Sequence, residues 1–141
     1  VLGEGSFLSL LWFLRDNAPD PVTHQVAKLT AQDEARHVAF GLAHLQHHAA
    51  ADPTLVERLT MAIERRHDAL AHTAGLNEEV FDALVLLAAG SWDGDAIARG
   101  WRAVEELKVE MHNGRIRRLT KLGFPETQAI ELSALHTRNF M

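Results

Sequence analysis

The sequence predicts an all-α protein, a helical bundle, and three observations carry that expectation. No stretch alternates apolar and polar residues, and Val and Ile are scattered rather than clustered, so strand signals are nearly missing. Helix caps and stops recur along the chain at helix-length intervals. Between them, apolar residues return at the three-to-four-residue spacing of a helix face.

The first helix is expected over residues 1–17. Phe7, Leu8, Leu10, Leu11, Trp12, Phe13 and Leu14 make it apolar nearly all round, which marks a buried helix. It opens directly on Val1-Leu2-Gly3-Glu4 with no capping residue, so further sequence is expected upstream of Val1. Asp20-Pro21 starts a second helix over 21–50 and Asp52-Pro53 a third over 53–74. In each, a carboxylate accepts from free N–H groups and Pro sits where its missing N–H costs nothing. Gly75 ends the third helix, and Asn77-Glu78-Glu79 caps a fourth over 78–90 with acids favourable to the helix dipole. A fifth, over 94–122, stops at Gly123 and Pro125, and a sixth spans 126–138. No linker is long enough to separate domains.

Composition narrows the function. A chain of 141 residues buries a core without disulfides, and the absence of Cys excludes thiolate chemistry and thiolate metal sites. A net charge of −5 argues against nucleic acid, which needs a basic footprint. The longest apolar run, Phe7 to Leu14, is too short to span a bilayer, so a cytoplasmic protein with no membrane contact is expected. Nine His and no Tyr are the unusual features, and His is the commonest metal ligand.

Metal is suggested more sharply by residues 32–41, Gln-Asp-Glu-Ala-Arg-His-Val-Ala-Phe-Gly, where four polar groups run into an apolar stretch. At about 100° per residue, Thr23, Ala27, Thr30, His37, Gly41, Leu45 and His48 fall on the side of the helix centred on Glu34. Val22, Leu29 and Phe40 flank that side on one edge, and Ala31, Val38 and Leu42 on the other. Gln25, Lys28, Gln32, Arg36 and Gln46 lie opposite. Glu34 and His37 are therefore expected inside. Glu4 repeats the anomaly on the first helix, one turn from Leu8 and two from Leu11. A buried carboxylate must be neutralised, paired or metal-bound. Glu-x-x-His puts two side chains on one helical face, able to grip one ion, and carboxylates with imidazole suit iron or manganese, with zinc also open.

Glu4, then Glu34 thirty positions on, then His37 in the context Asp-Glu-Ala-Arg-His, resembles the C-terminal half of ferritin-like di-iron carboxylate proteins. The resemblance is to the oxidase and oxygenase branches, ribonucleotide reductase small subunits and amine N-oxygenases, and covers about residues 1–50. Thr30 stands where the amine N-oxygenase pattern carries a third His. By that resemblance Glu4, Glu34 and His37 are metal ligands, and Asp33 hydrogen-bonds a ligating His from the other half. Residues 1–50 would be half of a four-helix core, and residues 51–141 a helical extension packed on it. The remaining ligands of a two-iron (or manganese/iron) site would come from upstream sequence or from a homodimer.

Other residues carry less. Glu64-Arg65-Arg66-His67 repeats the Glu-x-x-His pattern, but Glu64 points away from the apolar face of Leu55, Leu59, Ala62, Ile63 and Leu70, so it reads as surface. His44 and His48 lie too far from His37 to share its ion and are candidates for lining a channel or capping the core. Trp92 and Trp101 read as packing. Arg115, Arg117, Arg118 and Lys121 read as cations at a helix C-terminus, and Glu105, Glu106 and Glu110 as a solvated face. Gly3, Gly5, Ser6 and Gly41 leave room for dioxygen or substrate, or else permit close helix packing. The expected function is a dioxygen-activating oxidoreductase acting on a small organic molecule. An iron-handling ferroxidase and a helical scaffold with an incomplete metal site are the alternatives.

Overall fold

In a computed structural model, which describes residues 1–70 and 78–135, the chain is an all-α helical bundle. The described residues form six helices: α1 (Leu2–Asp16), α2 (Pro21–Ala51), α3 (Leu55–Leu70), α4 (Glu78–Ala89), α5 (Gly94–Lys121) and α6 (Glu126–Ala134). Asp20 caps α2 as expected, accepting from the Val22 and Thr23 amides at 2.8 and 2.9 Å. Asp52 accepts from Thr54 N–H, so α3 begins at Leu55, two residues later than the Asp-Pro signal suggested. Gly123 ends α5 at φ +95°. Gly90, taken into α4 by the sequence reading, lies just past it at φ +67°. The expected stop at Gly75, the cap at Asn77 and the ends of helices 53–74 and 126–138 lie outside the described residues.

Helix α1 is central. It forms an antiparallel pair with α2 and packs its other side on α5, which also carries α4 and α6. One apolar cluster joins Leu10 of α1 to Leu84 and Val85 of α4 and to Val104, Leu107 and Met111 of α5. A second joins Leu119, Leu122, Phe124 and Leu132 to Leu2 of α1, Leu42 and Leu45 of α2, and Ile63 of α3. The α4–α5 contact is close because position 100 has no side chain: a Cβ there would lie 2.2 Å from the Val85 carbonyl oxygen. No helix among the described residues is long and apolar enough to cross a membrane.

Helix α2 has α1 along one side, a small contact with α3, and near its C-terminal end Leu42 and Leu45 against the end of α5, where the Gln46 amide donates to the Lys121 carbonyl at 2.9 Å. Its covered side runs through Ala27, Ala31, Glu34, Val38, Gly41 and Leu45, alternating steps of four and three as in a two-helix seam. The small side chains at 27, 31 and 41 let α1 approach. Val1 packs on Gly41, where a Cβ would fall 2.7 Å from Val1 Cγ2. The neighbouring stripe, Val22, Val26, Leu29 and Phe40, is solvent-exposed, Phe40 by 75%.

Candidate metal site on the first helix pair

Glu34 and His37 come together one helical turn apart, with the Glu34 carboxylate 3.4 Å from His37 Nδ1. Their surroundings differ. Glu34 sits on the seam facing α1 with its side chain 21% exposed, whereas that of His37 is 69% exposed. The inward placement expected for His37 is therefore corrected. The apolar side read from the sequence is about twice as wide as one neighbouring helix covers. Helix α1 takes the half containing Ala27, Ala31 and Val38, and the half containing Val26 and Phe40 is left open. The two candidate ligands straddle that border.

Glu4 also departs from expectation. Its carboxylate is half exposed and lies 3.1 Å from the Val1 backbone nitrogen. On α1 the buried positions are Gly5, Ser6, Leu10 and Leu11, facing α5 and α2, and Glu4 falls outside them together with exposed Phe7. Leu11, one turn further, is buried. The helix register still brings Glu4 to the right level: with Val1 on Gly41 in an antiparallel pair, Glu4 stands near Val38. That is within roughly 6 Å along the axis of both Glu34 and His37 at 1.5 Å per residue. Asp33 is exposed and ion-paired to Arg36 on its own helix. Among the described residues, no three His, Asp or Glu side chains converge in a group able to hold a metal ion.

The remaining candidates divide. Glu64 is exposed, as expected, and His67 is partly buried beside a cavity. His44 and His48 are exposed rather than inward, with His44 stacked on Phe40 at 6.1 Å and meeting His48 edge-on at 4.5 Å. Trp92 and Trp101 are exposed rather than packed inside, with the Lys108 ammonium 5.8 Å from the Trp101 ring centre. Glu105, Glu106 and Glu110 form the solvated face expected of them. Gly5 and Gly41 serve close packing, against Arg118 and Val1 respectively.

The arginine cluster required the largest correction. Arg115 is buried. Its Nε donates to the Ser133 carbonyl and hydroxyl at 3.3 and 3.2 Å, and its Nη1 donates to Ser6 Oγ at 3.2 Å. The Ser133 hydroxyl donates in turn to the His112 carbonyl at 3.1 Å, tying α6 to α5. Arg118 lies across Gly5 and Gly114 with Nε and Nη2 buried and without an acceptor. Burial, then the neighbouring charges of Arg115 and Arg117, push its pKa down to about 10. Only Arg117 of the three behaves as an ordinary surface cation, pairing with Glu110. The signal was available: Val104, Leu107, Met111, Arg115 and Arg118 follow one another at steps of three and four, so both arginines continue the buried stripe of α5. No protein-family model, curated protein or solved structure matches the chain.

Proposed function

We propose that the α1–α2 pair is half of a ferritin-like carboxylate–histidine metal centre and that the complete site works as an oxidoreductase on a small organic substrate. The observation that carries this reading is the Glu34–His37 pair: a carboxylate and an imidazole, 3.4 Å apart, on the border between the covered and uncovered sides of α2. An anionic oxygen donor beside a neutral nitrogen donor suits iron or manganese. The open stripe of Val22, Val26, Leu29 and Phe40 continues from His37 and would receive a second helix pair bringing a second Glu-x-x-His. Two or three side chains do not make a closed site, so the present residues fit one side of a two-ion centre. Glu34 and His37 would hold the metal from this side. Glu4 would join them by turning its half-exposed carboxylate toward the pair. When bound, two irons supply dioxygen activation. The chain's own contribution is to fix the carboxylate against α1 and to present the imidazole at the open edge. The competing reading, a helical scaffold without metal, is favoured by the outward position of Glu4.

Iron content of the complete protein, with both halves of the site present, after anaerobic reconstitution with Fe(II) separates the two, using wild type, Glu34→Gln, His37→Leu and the double variant. The metal reading expects stoichiometric iron in wild type, its loss in all three variants, and metal-free variants within about 0.5 kcal/mol of metal-free wild type, since His37 is mostly in solvent. Iron-free wild type, with single variants less stable by roughly 1–3 kcal/mol as for a satisfied polar pair, would refute it.

A further inference from the structure

A cavity of about 220 Å³ lies between α1, α3, α5 and α6, away from Glu34 and His37. Its walls are mainly aliphatic, from Leu2, Ile63, Leu132 and Leu135 among others, and its polar lining is basic: Arg66 and His67 of α3 and Arg115 of α5. Among the described residues, no Asp or Glu lines it.

Arg115 is 5% exposed, and none of the ion pairs among the described residues includes it. Its Nε and Nη1 are occupied by Ser133 and Ser6, and these bonds hold the guanidinium in place. Nη2 has no protein acceptor among the described residues. A buried cation with neutral partners alone is costly, and structures ordinarily supply an anion. Among the described residues no side chain supplies one, and the cavity stands beside it.

We propose that this cavity binds a small organic carboxylate with an apolar body. Its carboxylate would accept from Arg115 Nη2, with Arg66 and His67 nearby, and its hydrocarbon part would lie along Leu2, Ile63, Leu132 and Leu135. A monoanion fits better than a phosphate dianion, because Arg115 is the one buried charge among the described lining residues and a second negative charge would stay uncompensated in an aliphatic pocket. In proportion to a cavity of about 150 Å³ that holds benzene, the volume admits roughly nine heavy atoms, the size of a six- to eight-carbon acid with its two oxygens counted. The proposal shares no residue with the Glu34–His37 pair and does not depend on bound metal. It also gives the second Glu-x-x-His a use: Arg66 and His67 border a ligand cavity while Glu64 stays outside it.

Calorimetric titration of the metal-free chain with octanoate tests this, with 1-octanol, acetate and sulfate as comparison ligands. One octanoate per chain is expected, at least tenfold tighter than any of the three. Arg115→Met, checked for helix content by circular dichroism, should weaken octanoate tenfold or more while leaving 1-octanol unchanged. Ala62→Trp fills the cavity from its α3 wall with Arg115 intact and should abolish octanoate binding, so the test holds even if Arg115→Met fails to fold. Equal binding of octanoate and 1-octanol, sulfate binding as tight as octanoate, no octanoate binding, several octanoates per chain, or an unaffected Ala62→Trp would each overturn the proposal.

Discussion

Arg118 is the least satisfied group in the described fold, and replacing it with Met should stabilise the protein. The guanidinium lies against Gly5 of α1, with Nε and Nη2 shut away from water and from acceptors. Its pKa of about 10 stands more than two units below the range above 12 usual for arginine, with burial the largest cause. At 1.36 kcal/mol per unit, that is a penalty of about 3 kcal/mol on holding the charge in the folded state. Part of the side chain still meets solvent, and screening reduces the figure to roughly 1–2 kcal/mol. Met keeps apolar contact with Gly5 and Gly114, forfeits no bond from the two orphaned nitrogens, and should recover about that amount, in line with other apolar replacements of buried ionic groups.

Urea melts at pH 7 with matched m-values provide the assay. The pH dependence has a defined sign. A cation whose folded pKa is depressed carries its full penalty below that pKa and loses it as pH rises from about 10 toward the unfolded value. The advantage of Arg118→Met should therefore be flat from pH 6 to 8 and shrink above pH 9. Gly5→Ala adds a coupling: its Cβ would come 2.3 Å from Arg118 Cζ, so it should cost more in wild type than beside Arg118→Met. If Arg118→Met were less stable than wild type by 1 kcal/mol or more, the guanidinium would have a partner in solution and the unpaired-charge reasoning would fail.

Gly100→Ala should destabilise by about 2–3 kcal/mol in thermal or urea melts, because the Cβ meets the Val85 backbone at 2.2 Å and whole helices must separate. That cost outweighs the gain of about 1 kcal/mol in helix propensity, and unchanged stability would mean that α4 and α5 are not in such close contact. Val26→Gln with Phe40→Gln should leave the monomer within about 0.5 kcal/mol of wild type and reduce concentration-dependent association measured by light scattering. A loss above about 1 kcal/mol would show that the α2 stripe is covered in solution.

How far the sequence could be read depended on whether one helix alone decides the feature. Caps and stops are local: Asp20 with Val22 and Thr23, or Gly123 at positive φ, need no tertiary neighbour, and six helices followed from such signals. Facing is relational. The periodicity of α2 marks a wide apolar side, but which half of it meets α1 depends on the partner's position, and that division leaves Glu34 partly buried and His37 exposed. Glu4 shows the same limit, since a helix apolar nearly all round does not tell which of its edges α2 and α5 will cover. Arg115 and Arg118 mark a different failure. Their residue type suggested a solvated helix end, while their spacing from Met111 and Leu107 placed them on the buried stripe. Where residue type and periodicity conflict, the conflict itself is informative. A charge at a core position persists only if its neighbours or a ligand satisfy it. Arg115 meets Ser6, Ser133 and a cavity with a basic lining, whereas Arg118 meets glycines. Glu34 belongs to the same class as a carboxylate held on a helix seam. Arg115 and Glu34 are the two polar groups placed against the apolar pattern where the proposed carboxylate ligand and metal would bind, whereas Arg118 has no such role.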